Sequence, residues 1–152
     1  MKIKKVKEFM TTRLITINRA TTIKEIARIF LTHSFDFLPV VDKENHLLGV
    51  ITKKDILAPF LPEYFNLLED INFISDFGSL EISFTESLEH LLLAEDIMVK
   101  NPVTVDEETS LFKAIALISH YKVRHLPVVR EGKLVGIVSR TDILRALFSE
   151  EK

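Results

Sequence analysis

The sequence predicts a mixed α/β fold (α+β in its layering) made of two pseudo-symmetric β-α-β-β-α repeats with a helical insert between them. Three observations carry this expectation. A strand that turns directly into a helix, Gly136-Ile137-Val138-Ser139-Arg140-Thr141-Asp142-Ile143-Leu144, recurs as Gly49-Val50-Ile51-Thr52-Lys53-Lys54-Asp55-Ile56-Leu57. The order of predicted elements before each switch is the same. The chain also matches itself at a fixed offset.

In chain order, residues 3–10 form a short amphipathic lead-in ending at Met10. Leu14-Ile15-Thr16-Ile17 alternates apolar and polar residues and predicts a short strand. Thr21 or Thr22 is the N-cap of a helix whose apolar face is Ile23, Ile26, Ala27, Phe30 and Leu31. Leu38-Pro39-Val40-Val41 is a buried strand, Asp42-Lys43-Glu44-Asn45 a polar hairpin turn, and Leu47 to Ile51 the returning strand. A helix begins at Thr52.

A shift of 88 residues aligns Met10 with Met98, Thr16 with Thr104, Thr21 with Thr109, and Leu38 to Val41 with Leu126 to Val129. The second turn, Arg130-Glu131-Gly132-Lys133, is one residue shorter. Beyond it a shift of 87 aligns Leu47 with Leu134, Gly49 with Gly136, and Asp55-Ile56-Leu57 with Asp142-Ile143-Leu144. Twelve identities in one order with a single gap in a turn mark a duplication. The organisation expected is a first repeat with its lead-in at 1–57, an insert at 58–93 and a second repeat at 94–152. The insert matches neither repeat. It holds seven acidic residues, no lysine or arginine, and five of the eleven phenylalanines. Tyr64, Leu67, Leu68, Ile71 and Ile74 predict one helix and Ser87 to Leu93 another, an ordered acidic element suited to docking.

Bulk properties narrow the function. At 152 residues and 47% hydrophobic content, the chain can bury a real core. A net charge of −2 gives no global reason to bind nucleic acid. The N-terminus has no apolar run after its lysines, and no run is long enough to span a bilayer, so a cytoplasmic protein without a membrane partner is expected. Cysteine is absent, which removes disulfides and thiolate metal sites. The five histidines show no metal-ligand spacing, and no Gly-rich phosphate loop, nucleophile elbow or zinc-protease motif is present. No catalytic residue and no metal ligand is therefore assigned, and no intrinsic enzymatic activity or required cofactor is expected.

The residues themselves suit a nucleotide at the Asp142 corner. A helix N-terminus favours phosphate, Ser139 and Thr141 add hydroxyls, and Asp142 is a natural acceptor for ribose hydroxyls. Arg140, Arg124 and His125 place positive charge nearby. The strand ends Ile15-Thr16-Ile17 and Phe37-Leu38 offer an apolar slot for adenine. The same Ser139-x-x-Asp142 and Thr52-x-x-Asp55 spacings also make capping boxes that only close helix ends. The two roles are compatible, with the hydroxyl capping and the carboxylate facing a ligand.

The tandem units resemble the cystathionine-β-synthase-type (CBS) domain pair, or Bateman module. The likeness rests on Met98-x-x-x-Pro102-Val103-Thr104-Val105, on Arg124-His125-Leu126-Pro127-Val128-Val129 and on the doubled Gly-x-x-Ser/Thr-x-x-Asp ending. It covers about two-thirds of the chain. It implies repeats packed by their sheets about a pseudo-two-fold axis, a binding module rather than a catalyst, and clefts between repeats for AMP, ADP, ATP or S-adenosylmethionine. It also implies a homodimer. A module of this size is expected to act on an effector protein in trans. The main site implied comprises Thr16, Ile17, Phe37 and Leu38 with Arg124, His125, Ile137, Ser139, Arg140, Thr141 and Asp142. A second site would use Thr52, Lys54, Asp55 and Thr104. Asp36-Phe37 stand where the second repeat has Arg124-His125, so the Asp55 cleft is the poorer one for a charged nucleotide. A Mg²⁺ ion beside a phosphate is compatible with either site but written in no motif. The alternative function is a protein-interaction or dimerisation module whose clefts hold no ligand, with the insert as its contact.

Overall fold

The computed structural model describes residues 3–60 and 91–149. The insert helix expected between Tyr64 and Ile74 lies outside the described residues, as does most of the one expected from Ser87. The first repeat runs α1 (Val6–Phe9), α2 (Ile23–Thr32), β1 (Phe37–Val41), β2 (Leu47–Thr52) and α3 (Lys53–Leu57), then a 3-10 turn, Ala58–Phe60. The second runs α4 (Ala94–Ile97), β3 (Val99–Lys100), α5 (Leu111–Tyr121), β4 (His125–Arg130), β5 (Lys133–Ser139) and α6 (Arg140–Phe148).

Local chemistry sets each boundary. Thr22 caps α2 by accepting from the Glu25 N–H at 3.2 Å, and Ser110 caps α5 by accepting from Lys113 at 3.1 Å. Ile23, Ile26 and Phe30 are buried, as the helical spacing predicts. Leu31, expected on the same face, is instead 86% exposed, because it falls past the edge of the stripe that Ile26 and Phe30 define. The β1–β2 and β4–β5 hairpins are antiparallel, and each carries a register shift at the same place, Val40/Val41 and Val128/Val129. In the first turn the Asp42 carboxylate accepts from the N–H groups of Glu44 and His46, and Asn45 takes a positive φ of 68°. The shorter turn needs positive φ at both Glu131 and Gly132, 52° and 79°.

The strand expected at Leu14–Ile17 does not form. Ile17 alone makes a parallel bridge to Val40, with its N–H on the Pro39 carbonyl at 3.0 Å and its carbonyl on the Val41 N–H at 2.8 Å. Of this stretch only Ile17 is buried, and one rung is not a strand. Val105 makes the matching bridge to Val128.

Each repeat borrows its lead-in from the other. Val6 of α1 is fully buried among Val105, Leu111, Ala114, Leu126, Val128, Val138 and Ile143 of the second repeat. Ala94 of α4 is fully buried in the first-repeat core, with Ile17, Ile26, Phe30, Leu38, Val40 and Ile51. The anchors are equivalent: the Val6 N–H donates to the Thr109 carbonyl and the Ala94 N–H to the Thr21 carbonyl, both at 2.8 Å. After each short helix the chain lies along the other repeat's hairpin. Thr11 pairs with Ile137, and β3 pairs with Val50 and Gly49 of β2. This approach explains two of the repeat's identities. A Cβ on Gly136 would sit 2.7 Å from the Met10 sulfur, and one on Gly49 would sit 2.8 Å from the Met98 sulfur.

The hairpin turns close the other end. The Leu47 N–H donates to the Gly132 carbonyl and the Leu134 N–H to the Asn45 carbonyl, each at 3.0 Å. The Asn45 side-chain amide adds a bond to the Leu134 carbonyl at 2.7 Å. Exchanged lead-ins and paired turns thus fix the two repeats against each other. Among the described residues no helix is long and apolar enough to cross a membrane.

Candidate ligand-binding site

Pseudo-symmetry brings equivalent residues face to face at the centre. Phe37 and His125 occupy the same position in the two repeats, each opposite the residue that starts a helix: Thr52 for Phe37 and Ser139 for His125. Their rings stack at a centroid distance of 4.6 Å with planes 14° apart. Asp36 and Arg124, equivalent in the same way, approach to 3.8 Å, and Asp36 lies 3.6 Å from His125 Nε2. Burial lowers the His125 pKa below the ordinary imidazole value, against the opposing pull of the Asp36 and Asp142 carboxylates. Asp36 was expected to disfavour phosphate at the Asp55 corner. It reaches across the axis to Arg124 and His125 of the Asp142 side.

Beside this stack lies a cavity of about 220 Å³. The first repeat contributes Thr11, Arg13, Leu14, Ile15, Phe35 and Phe37 to its walls. The second contributes His125, Ile137, Ser139 and Asp142. The lining is mainly apolar with a few convergent polar groups, the usual make-up of a small-molecule site. Its volume is below the roughly 300–1,000 Å³ of drug-sized sites, which suits a nucleoside with any charged tail at the mouth.

Asp142 is the polar centre of this wall and only 3% exposed. The Ser139 N–H donates to it at 2.9 Å, while the Ser139 hydroxyl accepts from the Asp142 N–H at 3.1 Å, a reciprocal capping box. The Thr11 hydroxyl donates to both carboxylate oxygens at 3.1 and 3.2 Å, and Arg145 reaches one at 3.3 Å. The Arg140 N–H donates to the Arg124 carbonyl at 3.2 Å. The fold therefore uses much of the polar capacity of the α6 N-terminus. A ribose at Asp142 would share the carboxylate with Thr11, or displace its hydroxyl.

Of the residues expected at the main site, Phe37, His125, Ile137, Ser139 and Asp142 line the cavity. Ile17 and Leu38 are buried in the first core. Thr16, Arg124, Arg140 and Thr141 are exposed and do not line it. Thr11, Arg13, Leu14 and Phe35 line it without having been anticipated. Thr11 and Arg13 flank no motif, but they follow the Met10 identity, and their counterparts at the shift of 88 are Val99 and Asn101. That contrast is the signal the sequence held.

The Asp55 corner is built differently. Asp55 accepts from the Thr52 N–H at 2.8 Å and from its hydroxyl at 3.0 Å. Val99 stands there in place of Thr11. Lys54 and Thr104 are exposed. A second, more open cavity of about 480 Å³ lies near Arg19, Leu48, Asp96 and Met98, and neither cavity is lined by Thr52, Lys54, Asp55 or Thr104. Asp42, Glu44 and His46 form the group of potential metal ligands among the described residues, but Asp42 and His46 are already hydrogen-bonded within the turn.

Comparison with known proteins places these observations. The family model described as CBS domain matches the chain twice, over residues 6–61 and 94–149. A CBS domain-containing protein of Dictyostelium discoideum is 33% identical over 93% of this chain and 90% of its own length. Other curated relatives are longer, and the chain spans as little as 23% of one of them. CBSX2 from Arabidopsis thaliana superposes with a TM-score of 0.76 at 29% identity, covering 96% of this chain and 95% of that one. CBSX2 in complex with AMP gives 0.72 at 29% identity, covering 94% and 95%. The CBS domain pair of MJ0100 in complex with 5′-methylthioadenosine and S-adenosyl-L-methionine gives 0.72 at 25% identity, covering 99% and 100%.

Proposed function

The chain belongs to the CBS domain family, and from that premise we propose that it is a cytoplasmic, non-catalytic ligand-sensing module that binds an adenosine compound between its repeats. The observation that carries the reading is the cavity whose walls come from both repeats and converge on the buried Asp142 carboxylate. The cavity accepts adenine against Leu14, Ile15 and Phe35, and ribose hydroxyls at Asp142 and Thr11. Structural neighbours in complex with AMP and with S-adenosyl-L-methionine support the ligand class. Candidate ligands are AMP, ADP, ATP and S-adenosylmethionine, with Mg²⁺ beside a polyphosphate.

A ligand touching both repeats favours whichever arrangement of them it binds better. A partner that reads that arrangement is then regulated in trans. The test is thermal denaturation with AMP, ADP, ATP, S-adenosylmethionine and NAD. A true ligand at a hundredfold excess over its Kd stabilises the fold by about 2.7 kcal/mol, and Asp142→Ala removes that increment. No stabilisation by any adenosine compound would reject the reading.

A second reading, an interaction module that forms a homodimer, is favoured by apolar side chains left on helix surfaces. Leu31 is 86% exposed, Phe112 61% and Phe148 78%. Sedimentation of the free chain tests it. A monomer at all concentrations counts against it.

A further inference from the structure

Resting on the adenosine reading above, we infer that Arg13 selects an anionic ligand, the 5′-phosphate of an adenosine mononucleotide, at the mouth of the cavity. Four arginines stand around the Asp142 corner, and the structure separates them. Arg124 faces the Asp36 carboxylate at 3.8 Å, and Arg145 reaches Asp142 at 3.3 Å. Arg140 is exposed but does not line the cavity. Arg13 lines it, is exposed, and has no carboxylate partner among the described residues.

The other charged group in the cavity wall is Asp142, already engaged by Ser139, Thr11 and Arg145. Among the described residues the cavity therefore presents one cation without a carboxylate partner. A guanidinium is also the side chain whose donor fork matches a phosphate. The corresponding position at the Asp55 corner is the uncharged Asn101. Arg124, the basic residue before the Leu126-Pro127-Val128-Val129 strand, is partly neutralised by Asp36. A cavity with a lone cation at its mouth favours AMP over uncharged adenosine. It disfavours S-adenosylmethionine, whose sulfonium carries positive charge where AMP carries its phosphate ester.

The test is isothermal titration calorimetry with AMP, adenosine and S-adenosylmethionine on the full chain and on Arg13→Gln, Arg13→Lys and Arg124→Gln. A charge-assisted hydrogen-bond pair is worth about tenfold or more in affinity. AMP should therefore bind at least about tenfold tighter than adenosine. Arg13→Gln should erase most of that ratio while adenosine still binds, which also shows that the variant folds. Arg13→Lys should recover part of the ratio, and Arg124→Gln should leave it within about threefold. Equal binding of AMP and adenosine overturns the inference and leaves the adenosine reading standing. So does a ratio that survives Arg13→Gln or collapses in Arg124→Gln, or tighter binding of S-adenosylmethionine than of AMP. Absence of binding by all three compounds overturns the reading and the inference together.

Discussion

Asp142 and Asp55 occupy the same place in their repeats and face different surroundings. Asp142 is buried and receives Ser139, Thr11 and Arg145, whereas Asp55 is half-buried and, among the described residues, receives Thr52. Removing a buried acceptor strands its donors at about 1–3 kcal/mol, while losing a cap at a more open helix end costs about 1 kcal/mol. Asp142→Ala should therefore destabilise the fold by about 2 kcal/mol and Asp55→Ala by about half as much, measured by urea denaturation. Equal losses would contradict the inequality of the corners. His125 adds a pH dependence. Its folded pKa lies below the ordinary value of about 6.5. Between the two values the unfolded chain holds more protons than the folded one, so stability falls as pH drops below about 6.5 and is unaffected well above it. Denaturation at pH 7.5 and 5.5 should show a steeper loss for the native chain than for His125→Phe, which copies the aromatic at position 37. A steeper loss for the variant would reverse the assignment.

At the scale of elements, the exchanged lead-ins explain why Met10, Met98, Gly49 and Gly136 recur. The short helices α1 and α4 deliver a methionine against the other repeat's glycine. At Gly49 a Cβ would meet the Val99 carbonyl at 2.8 Å, and at Gly136 the Thr11 carbonyl at 3.1 Å. Backbone yields less readily than a thioether, so Gly49→Ala should cost more than Gly136→Ala, within the range of about 1–3 kcal/mol for overpacking. Paired denaturation curves check the order. The hairpins, the main helices and both caps were legible in the sequence because turn residues, apolar spacing and hydroxyl–acid pairs act over a few residues. The exchange was not legible. Val6 meets Leu111 and Thr109 across more than a hundred residues, and four-residue helices leave too little periodicity to show which core they serve. Thr11 and Arg13 were missed for the same reason, since pairing with Ile137 is what carries that stretch to the Asp142 corner. The strand expected at Leu14–Ile17 failed where local alternation had no partner ladder to join.

At the scale of the molecule, the exchange places a segment of each repeat in the core of the other. Val6 sits in a core to which its own repeat contributes little else. Val6→Ala removes two methyl groups from that core and should cost about 2 kcal/mol. Hydrogen exchange should show the loss first in α5 and β4 of the second repeat, whereas equal loss in both repeats would mean that the cores are not separable. Exposed Lys5 and Lys7 hold Glu108 down to about 2 and reinforce the same attachment, a contribution present above the ordinary carboxylate value of 4.5 and lost as pH falls toward 2. Because the cavity is walled by the exchanged segment on one side and by α6 on the other, a ligand there contacts both repeats at once. That geometry is what a sensor of repeat orientation requires. The most direct test is a crystal structure of the full chain grown with saturating AMP. The account predicts one AMP per chain, with adenine between Ile15 and Phe35, ribose at Asp142 and Thr11, and phosphate at Arg13. AMP at the Asp55 corner, or no AMP in the cavity at saturation, would contradict it.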